Sequence, residues 1–361
     1  MKTFSKLLAG IAAMAISLYV QAYPGEGIVL DPVTGNYTIT YRGDPNSTEL
    51  SQTVFVPSTK VVPAIRSSFR IEKNTIVYRY TVSNGATAKQ AIVGVVLDQI
   101  VNPIVGELPF PSALQNATPA ENAAYDAAEK AALSTPPGWD GGINRFHGEY
   151  PDRVFWMPKG TLKTGGIQAG HTLTGFGFNS VDLPGVWPSQ MDGIGEALSF
   201  SDEGPVKDSA ILTELNRLRD NDFVTRPAAV PMIAVPTPFD AAALLGSIQT
   251  QMHTWIAMQL LDATFSSQLD RSFQSAISAY RLNQPKVGKQ QIEALRALVK
   301  KEQPDLGRDE EHESGKSQEK DDDRKSALID RLAARVLDFD LDYVTKRMDK
   351  GDEEHTSTRQ H

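Results

Sequence analysis

The hydrophobic period of this 361-residue chain changes once, near residue 205. Upstream, apolar residues alternate with polar ones or run in short apolar blocks. Downstream they recur every three or four positions. A period of two belongs to a strand with one buried face, and a period near 3.6 to an amphipathic helix, so one segment cannot satisfy both. The chain is therefore expected to be a two-domain α+β protein, a mainly β N-terminal sandwich followed by an α-helical C-terminal bundle.

In the first half, residues 27–31 and 37–42 flank Pro32-Val33-Thr34-Gly35-Asn36, a hairpin signature. Residues 67–72 and 75–83 flank Lys73-Asn74. In the second run Ile76, Tyr78, Tyr80 and Val82 share one face, and Val77, Arg79 and Thr81 the other. Residues 91–100 are apolar on both faces, which suits a central strand. Residues 50–56, 153–157 and 171–180 continue the pattern. One helix is expected to interrupt it. Thr118-Pro119-Ala120-Glu121 is a capping box with Pro at the first helical position, and an Ala-rich run follows. The β-domain is thus assigned to residues 23–205.

Residues 206–238 read as a helix (208–223) and then a semi-rigid extended spacer with Pro227, Pro231, Pro236 and Pro238. A helical bundle over 239–348 follows, opened by a second capping box, Thr237-Pro238-Phe239-Asp240. Its apolar stripes are Leu245, Ile248, Met252 and Trp255, then Phe265, Leu269, Phe273, Ile277 and Tyr280. Ile292, Leu295 and Val299 mark the third helix, and Leu328, Leu332, Val336, Phe339 and Tyr343 the fourth. The fourth carries a further apolar set, Leu337, Leu341, Val344 and Met348, roughly opposite the first. A helix apolar on two sides needs two neighbours. Residues 302–325 hold ten acids and five bases among 24 positions, with Leu306 the one large apolar side chain. Such a stretch cannot bury enough surface to offset chain ordering and is expected to be a disordered loop. Residues 349–361 form a polar tail.

The first 22 residues read as an address. Lys2 and Lys6 precede an apolar run at 7–20, too short for a comfortable span, and Val20-Gln21-Ala22 supplies small residues before Tyr23. That is the pattern of a secretory signal peptide with cleavage between Ala22 and Tyr23. The expected location is secreted or periplasmic, with no membrane span after signal removal. Absence of Cys excludes a disulfide framework, a thiolate zinc site and a thiol nucleophile. A formal charge of −8 gives no global pull toward nucleic acid, and none is expected as a partner.

Residues 167–180 (IQAGHTLTGFGFNS) followed by Leu183-Pro184-Gly185 resemble the "I-x-P-G-x-x-L-x-G-F-x-F-x-S … L-P-G" run of an immunoglobulin-like sandwich found in bacterial exported proteins of unknown function. Ala169 stands where that run has Pro. Residues 269–348 resemble helical modules found in various architectures in such proteins, with the charged 302–325 stretch as an insertion. The resemblance implies the sandwich, the helical module and export, and brings no catalytic residues.

Motifs for chemistry are sparse. There is no H-E-x-x-H and no G-x-S-x-G elbow. His147 with Glu149 is the nearest ligand-like pair and reads as a surface pair, and His253 reads as solvated. Gly315-Lys316-Ser317 lacks the first glycine and the strand of a phosphate loop. Asp338-x-Asp340-x-Asp342 opens like a calcium loop, but Tyr343 stands where the turn glycine belongs, so the three read as the wet side of the fourth helix. No catalytic residue, metal site or cofactor is assigned. Trp139, Trp156 and Trp187 lie in or beside Gly/Pro-rich segments and are the candidate binding residues, since exposed aromatics can stack on sugar rings. The leading expectation is a non-enzymatic exported protein whose sandwich presents a binding surface to a protein or glycan, with the helical module as spacer or docking platform. The alternatives are a carbohydrate-binding module using those tryptophans, and a secreted hydrolase with an unrecognised carboxylate pair.

Overall fold

The computed structural model describes residues 23–100, 104–106, 108, 117–144, 152–160, 165–195, 200, 204–306 and 327–357. Residues 1–22, expected to be a signal segment, the pair His147/Glu149, Gly315-Lys316-Ser317 and most of the acidic 302–325 stretch lie outside the described residues.

Three antiparallel strands open the chain: β1 (Gly27–Leu30), β2 (Tyr37–Tyr41) and β3 (Ser51–Phe55), in that spatial order. Their pairing puts Ile39, Tyr41 and Phe55 under helix α2 (Ala210–Asp220), where they meet Ile211 and Leu215 in a small core of their own. Ser209 caps α2, its side chain accepting from the Leu212 N–H at 3.1 Å.

The sandwich follows. One sheet has the order β4 (Pro63–Glu72), β5 (Thr75–Asn84), β10 (Thr172–Ser180), β7 (Leu133–Ser134). The other runs β12 (Val224–Ile233), β11 (Leu183–Asp192), β6 (Gly94–Ile100), β9 (Asp152–Pro158), β8 (Trp139–Asn144). All pairings are antiparallel. As the alternation predicts, Ile76, Tyr78, Tyr80 and Val82 point inward, meeting Phe176 and Phe178 of the same sheet and Val95, Leu97 and Trp156 of the other. The 91–100 run supplies the middle strand of the five. Helix α1 (Pro119–Ala132) carries the full Thr118/Glu121 capping box and lies beside β8.

The Pro-rich spacer is corrected by the structure. Residues 224–233 form β12, paired along its length with β11, with Pro188 facing Pro227 and Pro184 facing Pro231. A proline cannot donate to a ladder, but positions four apart share one parity. Both facing pairs can therefore occupy sites where no N–H is asked for, and β12 lies at the sheet edge.

Helices α3 (Ala241–Ala257), α4 (Ala263–Arg281), α5 (Pro285–Glu302) and α6 (Arg331–Ser357) follow, each packing on the next, with α6 also against α3. The cap of α3 differs from the expected box. Asp240, not Thr237, is its N-cap, accepting from Ala243 N–H at 3.0 Å. The helical layer does not stand apart from the sandwich. α3 and α6 pack on β11 and β12, and one continuous core runs from Tyr80 through Val186 and Val230 to Leu245, Leu341 and Leu295. Both apolar sets of α6 are used. Val336, Leu337, Leu341 and Val344 are all fully buried, and Phe339 meets Phe69 of β4.

Candidate functional site: the open face of the four-stranded sheet

The alternation that sends Ile65, Ser67 and Phe69 of β4 toward the core sends Arg66, Ser68 and Arg70 outward. On β5 the residues of matching parity are Val77, Arg79 and Thr81; Arg79 and Thr81 are half-buried and Val77 is 2% exposed. Register completes a grid of three rows across β4, β5 and β10: Arg66–Thr81–Thr174, Ser68–Arg79–Gly177 and Arg70–Val77–Asn179. Arg66, Ser68, Arg70 and Thr174 are exposed.

Arg79 is the fixed point of this face. Its Nη1 donates to the carbonyls of Tyr78 (2.8 Å) and Phe178 (3.3 Å), which holds the half-buried guanidinium flat across the sheet. Gly177 makes that possible, because a Cβ there would lie 2.2 Å from the Tyr78 carbonyl oxygen and 2.9 Å from the Arg79 stem. Partial burial lowers the Arg79 pKa from its ordinary value, and the neighbouring Arg70 charge lowers it further. Arg70 is itself joined to exposed Glu72, Nε to Oε1 at 2.8 Å. The face thus gathers three arginines, one acid and a set of hydroxyls on a chain whose formal charge is −8.

A second polar cluster lies where the sandwich meets the first sheet and α2. Asp222, just past α2, accepts the Ser58 N–H with both carboxylate oxygens (2.8 and 3.0 Å), and its own carbonyl accepts from the Ser58 hydroxyl. Asp192, at the end of β11, sits over Gly94, where a Cβ would lie 1.8 Å from its Oδ1. Burial, and next the charge of Asp222, push the Asp192 pKa up to about 6. A carboxylate pair with one proton held near neutrality could serve acid–base chemistry. Asp222, however, is occupied in tying the β3–β4 connection to the α2–β12 connection, so the pair reads as a structural clamp.

The residues singled out in sequence fare differently. Trp139 and Trp156 are 5% and 1% exposed, packed edge-on against Phe176 at 5.2 and 5.6 Å. Trp187 is half-buried against the same core. Trp139 and Trp156, enclosed in this way, present no face to a sugar and are corrected to core residues. Their position beside glycines reflects close packing, since a Cβ at Gly141 would meet Trp156 at 2.8 Å. His253 is exposed, but its Nε2 lies 2.7 Å from Asp270, whose Oδ1 also accepts from Gln249 at 2.7 Å.

The three aspartates of α6 part company. Asp338 and Asp342 pair with Arg296 of α5, at 2.8 and 2.9 Å. Asp340 is not on the wet side. It is 1% exposed, both oxygens are without a hydrogen-bond partner among the described residues, and burial raises its pKa well above the ordinary value. Among the described residues no group of three or more potential metal ligands comes together. No helix among them is long and apolar enough to cross a membrane.

No family model matches the chain, and no curated sequence matches it. The arginine face was within reach of the sequence only in part. The alternation exposed Arg79, but the strand register that sets Arg66 and Arg70 around it is a tertiary fact.

Proposed function

We propose that this is an exported, non-enzymatic recognition protein whose sandwich binds its partner through the open face of the four-stranded sheet. The observation that carries this reading is the convergence of exposed Arg66 and Arg70 with half-buried Arg79 on the outward side of β4 and β5 within an acidic chain. Charges kept together against the sign of the whole molecule steer a partner of opposite sign and fix its register. The helical layer is the docking platform of that reading. By sharing the core with β11 and β12 it stiffens the sandwich from behind. Export follows from the residue 1–22 pattern and from the resemblance of residues 167–185 to a run in exported bacterial proteins.

The test is binding of the purified mature chain to bacterial envelope preparations, comparing wild type with the Arg66→Glu/Arg70→Glu double variant. The expected result is retention of wild type and loss of the variant at unchanged thermal stability. Equal retention of both would remove the sheet face from the function.

A further inference from the structure

Resting on that recognition reading, we infer that the ligand of the sheet face is an acidic polysaccharide, a sugar chain bearing carboxylates at intervals along its length. Arg66 and Arg70 are four residues apart on one strand, about 13–14 Å at the usual rise of a β-strand. Arg79 stands between them on the neighbouring strand, opposite Ser68. One small anion can sit between Arg70 and Arg79 but leaves Arg66 unused. A chain lying along β4 reaches all three.

The chemistry of each position fits that ligand. A guanidinium presents a planar fork of donors matched to the two oxygens of a carboxylate. Arg79 is already oriented by the Tyr78 and Phe178 carbonyls, so little side-chain freedom is left to lose when a ligand arrives. Arg70 and Arg79 lie on the diagonal between neighbouring rows, with Glu72 offsetting part of their mutual repulsion, and a ligand carboxylate can seat against both guanidinium groups. The remaining positions, Ser68, Thr81 and Thr174, offer hydroxyls that both donate and accept, as sugar hydroxyls require. Gly177 leaves room beside Arg79 in the middle row. Nucleic acid is the competing polyanion. A single strand is held by aromatic rings on which its bases stack. The nine grid positions are arginine, serine, threonine, valine, glycine and asparagine.

The probe is polygalacturonate of defined length, titrated against the full mature chain at low and at physiological salt. Neutral dextran, single-stranded DNA of equal charge and anionic lipid vesicles are run in parallel. The expected result is saturable polygalacturonate binding that weakens with salt and falls at least tenfold in Arg66→Glu/Arg70→Glu. Dextran should not bind, and DNA and vesicles should bind more weakly. No polygalacturonate binding, binding unchanged in the double variant, or tighter binding to DNA or vesicles would each overturn the glycan assignment. If envelope retention still requires Arg66 and Arg70 while polygalacturonate fails, the ligand class is wrong and the recognition face stands. If neither depends on the arginines, both fall.

Discussion

Phe69 of β4 and Phe339 of α6 meet edge to face, their ring centroids 5.0 Å apart at 83°. The pair joins the rim of the sandwich to the last helix, and Arg335 of the same helix lies over the Phe69 ring, 5.5 Å from its centroid. Phe69 belongs to the same strand as Arg66 and Arg70, so the helix braces the strand that carries the proposed recognition face. The two halves of the chain, so distinct in pattern, therefore act as one body.

That bracing predicts the cost of disturbing α6. Leu341 is fully buried between the sheet and the other helices. Leu341→Ala should destabilise the chain by about 2–5 kcal/mol, the usual range for a core leucine. Leu341→Asp should cost more, since an unpaired charge is buried as well. Urea denaturation followed by Trp fluorescence and by far-UV dichroism should show one shared transition moved to lower urea. An unchanged midpoint for Leu341→Asp would mean the second apolar face of α6 is not packed.

Asp340 should weaken the fold as pH rises. Its neighbours one turn away on α6 are Val336, Leu337, Tyr343 and Val344. From the sandwich it is felt by Tyr78, whose hydroxyl donates to the Asp182 carbonyl at 2.8 Å. Burial holds the proton on, so the folded-state pKa exceeds the unfolded one. The folded chain then binds more protons than the unfolded chain, and stability falls as pH climbs above the ordinary carboxylate range. Asp340→Leu should raise stability by about 1–3 kcal/mol, the cost of an unsatisfied buried polar group. It should also flatten that decline. Urea midpoints between pH 4 and 9 check both. A destabilised Asp340→Leu with the decline intact would contradict this account.

Asp192 adds a narrower window. Its pKa is raised to about 6, so its stabilising effect is full below the ordinary value near 3.8 and is lost as pH passes through 6. Asp192→Asn should reduce the slope between pH 4 and 6, where Asp340 also contributes, and leave the slope above 6 unchanged. Carboxyl-carbon NMR should give an Asp192 midpoint near 6, moving down when Asp222 is replaced by Asn. A midpoint near 4 in wild type would show the carboxylate to be solvated.

Gly177→Ala should displace Arg79. A Cβ there meets the Tyr78 carbonyl oxygen at 2.2 Å, so backbone must shift. Overpacking of this kind costs about 1–3 kcal/mol. Because the guanidinium loses its flat seat, ligand binding should weaken beyond the loss of stability. A variant that binds like wild type would show that Arg79 is not held by that glycine.

Much of the fold could be read from residue pattern. The Thr118/Glu121 box, the alternation through Tyr78 and Tyr80 and the stripes of α3 to α5 each state their own structure, because local spacing and burial agree. Where the reading failed, the deciding partner was distant in sequence. Pro227 and Pro231 look like breakers until Pro188 and Pro184 are seen to face them. Asp340 looks solvated on a single helix, yet with apolar faces on both sides the strip between them is enclosed as well. Trp139 and Trp156 sit among glycines, and the glycines mark close packing around the rings. The arginine grid needed register that no single strand contains.

The central claim is that the outward face of β4 and β5 is where this protein meets its ligand. Hydrogen–deuterium exchange with mass spectrometry, with and without saturating polygalacturonate, tests it most directly. The account predicts slowed exchange in peptides spanning residues 63–84, with peptides around Asp192 and Asp222 and from α4 unchanged. Slowing centred on those other segments, or no slowing anywhere at saturation, would contradict it.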